Sequence, residues 1–242
     1  MLEFKQHFLP LSSDFDVRDR MKVSAYLDMF QTVAGRHSEL LRLGARDLLT
    51  RGIAWIVAKS RLTVYQSPAP GLRSDVVVST YPQPPGKLDY IRDYYMHDLD
   101  GGLLAKGSAQ WLLLDMNTRR ILRPILEYPG EYVTFAAYDS TRIDKIDVPS
   151  DAAEIYRHRV CRNDIDLNNH TNNIKYAEML YNAADLPEGR EAADFIINYI
   201  KETQLGDEIV ICHAHTDNGD SLFAGKKNGE TVFTAKLQYR SV

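Results

Sequence analysis

The sequence predicts an α+β chain made of two related halves, each a long helix followed by antiparallel strands. Two observations lead to this prediction: a diverged repeat, and the periodicity of the apolar residues in each copy. Residues 14–17 (DFDV) align with residues 164–167 (DIDL) at an offset of 150 (164 − 14), and matched apolar positions follow in the same order. Ordered matches that share the same predicted structure indicate an ancient duplication.

Each copy contains one amphipathic helical segment. In the first copy, apolar residues from Tyr26 to Leu41 recur close to the 3.6-residue period of a helix. In the second copy, residues from Ile174 to Ala183 do the same, and the Leu186-Pro187 step ends the helix.

The segments after each helix alternate between apolar and polar residues, as half-buried strands do. Clear examples are 105–111 and 233–239, each of which follows a glycine-containing turn. The strands follow one another without helical crossovers, so the sheets should be antiparallel. Predicted strands cover 53–65, 74–81, 88–98, 103–115, 194–203, 207–216 and 231–240.

A helix wrapped by a curved antiparallel sheet is the hotdog arrangement, so the predicted fold is a tandem, or double, hotdog. The N-terminal hotdog is placed at residues 1–130 and the C-terminal hotdog at 150–242. A proline-containing linker, 131–149, joins them.

Composition excludes several functional classes. Apolar residues make up 44% and charged residues 26% of the 242, as in ordinary globular proteins. No apolar run reaches the ~18 residues that span a bilayer, and the first residues lack the features of a signal peptide. We therefore expect a cytoplasmic protein with no membrane partner. A formal net charge of −4 argues against nucleic acid as a partner.

No metal or cofactor is expected. The two cysteines, Cys161 and Cys212, lack metal-ligand spacing and are interpreted as structural thiols in a reducing compartment. His213 and His215 would share one face of a strand, but no third ligand lies nearby in the sequence, so we interpret them as surface histidines.

The densest polar cluster is segment 164–173 (DIDLNNHTNN), immediately before the second helix. Capping and turn formation would explain one or two such residues, but not a histidine, two carboxylates and four asparagines in ten positions. The N–H groups and dipole at a helix N-terminus can also stabilise an oxyanion. The cluster is therefore the candidate catalytic site.

The repeat indicates which half is active. Asn168 and His170 align with Arg18 and Arg20 of the first copy, whereas Asp16 is kept there. We predict one working site in the second half and one retired site in the first.

The same residues carry a resemblance to a known family. The pattern Asp166-x-Asn168-x-His170-x-Asn-Asn-x-Lys-Tyr resembles the signature of the acyl-ACP thioesterases of plants and bacteria. The resemblance implies catalytic roles for Asp166, Asn168, His170 and a later glutamate, here Glu202. Similar positions in the first half are Trp55, Arg92-Asp93-Tyr94 and Met116-Asn117-Thr118-Arg119-Arg120.

This family implies hydrolysis of fatty acyl-ACP to a free fatty acid, with acyl carrier protein and the fatty acyl chain as partners. Either Glu202 or Asp166 would activate water or attack the thioester, while His170, held by Asn168, polarises or protonates. Thr203 occupies the position of a cysteine once proposed as the family's nucleophile, so we expect chemistry without a thiol.

The first half is expected to hold the acyl chain. Met29, Val33 and Trp55 are its candidate lining residues, and Asn172 and Asn173 are further candidates for substrate binding. Alternative functions are an acyl-CoA thioesterase, a hotdog dehydratase and a non-catalytic acyl-binding protein. A homodimer is a further possibility.

Overall fold

The computed structural model describes residues 2–68, 70–71, 75–133, 143–184 and 188–241. The chain divides into two compact units, Met1–Ile143 and Asp144–Val242. The boundary falls inside segment 131–149.

The two units contain the following elements. Unit 1 has strand β1 (Phe4–Phe8), helices α1 (Val23–Leu40) and α2 (Ala45–Leu49), and strands β2 (Ile53–Val64), β3 (Val76–Pro82), β4 (Tyr90–Asp98), β5 (Leu103–Asp115) and β6 (Ile121–Leu122). Unit 2 has strand β7 (Ala153–Arg159), helix α3 (Asn173–Ala183), and strands β8 (Arg190–Tyr199), β9 (Glu208–His215), β10 (Ser221–Lys227) and β11 (Glu230–Ser241).

The two units share one sheet topology. In unit 1 the strand order is β1-β3-β4-β5-β2, with β6 beside β5, and in unit 2 it is β7-β9-β10-β11-β8. Both orders place the first, third, fourth, fifth and second strand side by side, and the pairs within each unit are antiparallel. The duplication inferred from the sequence is thus repeated in the connectivity.

The long helix of each unit packs on the sheet of its own unit through aromatic side chains. In unit 1, Phe30 of α1 stacks on Tyr94 of β4 with centroids 4.9 Å apart. A side chain at Gly107 would place its Cβ 2.5 Å from Phe30 Cε2, so glycine is needed for this approach. In unit 2, Tyr176 of α3 packs on Phe233 of β11 at 5.0 Å. The helix-on-sheet arrangement expected from the sequence therefore occurs twice.

The predicted strands are all present within a few residues of their expected bounds, but four of the described strands (β1, β6, β7 and β10) and the short helix α2 were missed. The missed strands β1 and β7 are edge strands and carry mainly polar and charged residues, so they lack an apolar period. Strand β6 has only two residues, and α2 spans about one and a half turns, so both are too short to show a period. In the described part of the chain, no helix is long and apolar enough to cross a membrane.

Candidate active site

The polar cluster folds into a compact turn that begins with a 3-10 segment, Arg162–Asp164. The buried Asp164 carboxylate accepts hydrogen bonds from the Cys161 N–H at 2.8 Å and from His158 Nε2 at 2.7 Å. Burial alone would raise the pKa of Asp164, but these hydrogen bonds hold it below its ordinary value. Asp164 therefore anchors the start of the turn as an anion.

Asp166 closes the next part of the turn. Its Oδ1 accepts the Asn168 N–H at 2.8 Å and the His170 N–H at 3.4 Å, and its Oδ2 accepts the Asn168 side-chain amide at 3.3 Å. Asn169 adopts a left-handed φ of 63°, which asparagine tolerates better than most residues. Asp166 thereby fixes the backbone that presents His170.

His170 meets Glu202, which follows strand β8. His170 Nε2 lies 3.3 Å from Glu202 Oε2, and the two side chains are 28% and 42% exposed. The predicted histidine and glutamate are therefore brought together at a position that is accessible to water. This contact joins two segments that are far apart in sequence.

Helix α3 begins shortly after His170. Asn172 is the N-cap: its Oδ1 accepts the Ile174 N–H at 3.0 Å, and its carbonyl accepts the Lys175 N–H at 2.9 Å. The Asn172 side-chain oxygen is thus engaged in capping. The Asn173 N–H has no acceptor among the residues described and is available to an oxyanion.

A set of buried hydroxyl groups lies next to the His170–Glu202 pair, and it was not predicted from the sequence. Thr203 is completely buried, and its Oγ1 lies 2.7 Å from Thr171 Oγ1 and 2.8 Å from the Tyr176 hydroxyl. The Thr171 N–H also donates to the Thr203 carbonyl at 2.9 Å. Hydroxyl contacts of this kind follow no sequence period, so only the fold could reveal them.

The corresponding turn in unit 1 has the same backbone. Asp16 Oδ1 accepts the Arg18 N–H at 2.8 Å and the Arg20 N–H at 3.0 Å, and Asp19 has a left-handed φ of 58°. An isolated bridge closes each turn, Phe15 to Met21 in unit 1 and Ile165 to Thr171 in unit 2. The aspartate and the turn therefore belong to the shared fold, whereas the asparagine and histidine belong to unit 2 alone.

Sheet register identifies the counterpart of Glu202. The Ile200 and Lys201 N–H groups both donate to Val232 O, just as the Tyr65 and Gln66 N–H groups both donate to Leu104 O. The next residue is Glu202 in unit 2 and Ser67 in unit 1.

The hydroxyl of Ser67 accepts the Met21 N–H at 2.9 Å. Unit 1 thus lacks the carboxylate as well as the histidine and the asparagine.

The candidate acyl-chain residues lie in different parts of unit 1. Met29 and Val33 are buried on α1. The Trp55 indole donates to Leu43 O at 2.9 Å and packs edge-on against Tyr90 at 4.9 Å. Trp55 therefore packs against a core cluster that contains Leu43 and Tyr90 but neither Met29 nor Val33.

Metal ligation has no support in the described residues, where no group of three or more His, Cys, Asp or Glu side chains could hold an ion. The His213 and His215 rings do share a face, 4.4 Å apart. Cys161 is exposed and Cys212 is buried, and both are free thiols.

Comparison with known proteins gives a consistent result. Residues 1–132 match the family model of the acyl-ACP thioesterase N-terminal domain, and residues 148–241 match that of the C-terminal domain. The chain is 22% identical to the oleoyl-acyl carrier protein thioesterase 2 of Arabidopsis thaliana, over 95% of this chain and 71% of that protein. It spans 62–65% of the length of three further plant relatives.

Two solved structures share the fold over nearly the whole chain. An acyl-ACP thioesterase from Bacteroides thetaiotaomicron superposes with a TM-score of 0.86 at 20% identity, covering 99% of this chain and 98% of that one. The 12:0-ACP thioesterase of Umbellularia californica gives 0.85 at 18% identity, covering 100% and 98%. These likenesses confirm the double hotdog, and the two family models together show that the chain belongs to the acyl-ACP thioesterase family.

Proposed function

We propose that this chain hydrolyses the thioester of fatty acyl-ACP to a free fatty acid and the carrier thiol, with the site formed around His170 and Glu202. The observation that supports this most is the 3.3 Å contact between the two side chains beside the N-terminus of α3. An imidazole, a carboxylate and helix N–H groups are the groups that acyl transfer to water requires.

The two carboxylates have different surroundings, which favours different roles. Asp166 receives two backbone N–H groups and the Asn168 amide, and Asp16 receives the same backbone bonds in unit 1, where Arg20 stands in place of His170. Glu202 is more exposed and pairs with His170. We therefore assign Glu202 as the reacting carboxylate, and Asp166 as the residue that positions Asn168 and His170.

In the proposed reaction, Glu202 accepts a proton from a water molecule whose oxygen attacks the thioester carbonyl carbon. The Asn173 N–H stabilises the resulting oxyanion. The C–S bond then breaks, and protonated His170 gives its proton to the departing thiolate, which yields the carrier thiol and the fatty acid. The proton held by Glu202 passes to His170 across their 3.3 Å contact and restores both groups. Direct attack by Glu202 would instead form an anhydride that water cleaves, and oxygen-18 from labelled water found in Glu202 after a single turnover would demonstrate that route.

The roles of the two carboxylates are separated by paired substitutions. Glu202→Gln should lose activity as fully as Glu202→Ala, about 10²–10⁴-fold in kcat, because an amide cannot accept the proton. Asp166→Asn keeps an oxygen that accepts the backbone N–H groups, so it should be clearly milder than Asp166→Ala. Equal losses for Asp166→Asn and Glu202→Gln would contradict the assignment.

The function itself is tested by incubating the purified protein with a series of acyl-ACP and acyl-CoA thioesters of increasing chain length. We expect fatty acid release from acyl-ACP. Release from acyl-CoA alone would favour the acyl-CoA thioesterase alternative, and dehydration of 3-hydroxyacyl thioesters without hydrolysis would favour a dehydratase. Absence of release from any thioester would refute the proposal.

Unit 1 is proposed to receive the acyl chain, with Met29, Val33 and Trp55 as lining residues. Its support is that α1 keeps a long apolar face although this unit lacks the asparagine, histidine and glutamate. The plant relatives are named as chloroplastic proteins, so the cytoplasmic location expected from the sequence stays a prediction. A homodimer also stays a prediction.

A further inference from the structure

The hydroxyl groups beside the reacting pair form a connected set of hydrogen bonds. Thr203 Oγ1 lies 2.7 Å from Thr171 Oγ1 and 2.8 Å from the Tyr176 hydroxyl, and in each contact either oxygen can be the donor. Thr171 Oγ1 also lies 3.2 Å from the Thr203 carbonyl. Because each hydroxyl carries one proton, Thr203 donates in at most one of its two hydroxyl contacts and accepts in the other.

These hydrogen-bonded hydroxyl groups are placed to act on the catalytic residues through the backbone. Thr171 directly follows His170, and Thr203 directly follows Glu202. Glu202 lies beyond the end of β8, and its own side chain is 42% exposed. The Ile200 and Lys201 N–H groups hold the segment before Glu202, and the completely buried Thr203 anchors it directly after Glu202.

Unit 1 supplies an internal comparison. By sequence offset and sheet register, Met21 replaces Thr171, and Pro68 replaces Thr203, while Tyr26 corresponds to Tyr176. The turn of unit 1 is joined to the end of β2 through Ser67 instead. The fold can thus make this junction without the two threonine hydroxyls, which occur in the unit that has the histidine and the glutamate.

We propose that Thr203 is a positioning residue, whose hydroxyl, held between Thr171 and Tyr176, keeps Glu202 at hydrogen-bonding distance from His170. This inference rests on the proposed function. It also gives the threonine at this position a role that needs no nucleophilic side chain, since its oxygen is buried and engaged on both sides. Misplacement of a catalytic group by about 1 Å can cost about 10²-fold in rate.

The test is the Thr203→Val variant, which keeps the branched shape and removes only the hydroxyl. We expect kcat to fall by about 10- to 100-fold with KM changed by less than about threefold. Thr203→Ser restores the hydroxyl and should restore most of kcat. Tyr176→Phe removes one hydroxyl partner of Thr203 and leaves the bond between the threonines, so its loss should be smaller than that of Thr203→Val.

Two controls separate positioning from general destabilisation. Thr80→Val removes an equally buried hydroxyl in unit 1, where Thr80 accepts from Arg92, and should lower the Tm without the loss of kcat. Adding Thr203→Val to Glu202→Gln should cost little more, because the group being positioned has already lost its function. Equal effects of Thr203→Val and Thr80→Val on kcat, or additive losses with Glu202→Gln, would overturn the inference.

A readout that does not need turnover keeps this test apart from that of the proposed function. The ring resonances of His170, followed by NMR, should be perturbed by Thr203→Val in the same sense as by Glu202→Gln. If the wild-type protein released no fatty acid, the proposed function would fail, but the His170 signals would still decide the positioning role. Unchanged His170 signals in Thr203→Val would overturn it.

Discussion

Enlarging the buried face of α1 should shorten the acyl chains that the enzyme prefers. Met29 and Val33 are both buried in unit 1, the half without the histidine and glutamate. If they line the acyl pocket, Val33→Phe adds about four side-chain carbons and displaces a similar length of substrate. Each excluded methylene is worth about 0.8 kcal/mol, or about fourfold in kcat/KM. Four lost methylenes therefore correspond to roughly 200-fold discrimination against the longest chain.

The alternative is that these residues belong only to the packed core. Overpacking then costs about 1–3 kcal/mol of folding stability and scales activity equally on all substrates. The assay is therefore kcat/KM across a series of acyl-ACP lengths for Met29→Trp and Val33→Phe, together with the Tm of each variant. A pocket predicts a shifted optimum with activity on shorter chains retained.

The duplication provides a matched control. Met179 on α3 corresponds to Met29 at the 150-residue offset (179 − 29) and is equally buried. Met179→Trp should scale activity uniformly, because this residue lies in the half that performs the chemistry. If Met29→Trp also lowered activity uniformly across chain lengths, the pocket assignment would be refuted and both methionines would be core residues.

Two further predictions concern the thiols and the buried ionisable groups. The double variant Cys161→Ser/Cys212→Ser should keep kcat within about twofold, with a stability cost of about 1–3 kcal/mol from the hydroxyl placed at the buried Cys212; an acyl-enzyme trapped on either cysteine would contradict this. Burial, aided by Arg92, lowers the pKa of His37 to about 4, so acidification below its ordinary 6.5 should destabilise the fold. Burial raises the pKa of Asp93 to about 6, so protonation of this group below pH 6 has the opposite, stabilising effect. When the pH falls from 7 to 5, Asp93→Asn should therefore lose about 1 kcal/mol more folding stability than the wild type, as measured by urea unfolding. Equal losses of stability in the two proteins would show that Asp93 does not titrate in this range.

Much of the fold could be predicted because both copies repeat simple patterns. The apolar period of α1 and the alternation in β5 and β11 report which face of each element is buried. The edge strands β1 and β7 escaped detection because they carry mainly polar residues, whose pattern does not record pairing. Their place became visible only through the sheet order.

Part of the candidate site could likewise be predicted from the sequence, and part could not. The turn from Asp164 to Asn173 could be found locally, because capping residues and titratable groups are concentrated in ten positions. The proximity of His170 to Glu202 could not be found locally, because it depends on where β8 ends relative to the turn. Only the family resemblance indicated it. The hydroxyl chain through Thr203 carries no sequence signal, because a buried threonine looks like any other strand or loop residue.

The central claim is that the second copy performs hydrolysis and the first copy does not. It is tested most directly by comparing His170→Ala with Asp16→Ala in acyl-ACP hydrolysis under single-turnover conditions. His170→Ala should lower the rate by about 10²–10⁴-fold, whereas Asp16→Ala should stay within a few-fold of the wild type, provided that its Tm shows an intact fold. A comparable loss for Asp16→Ala in a folded protein would contradict the account, because it would place chemistry in the unit that lacks the histidine and the glutamate.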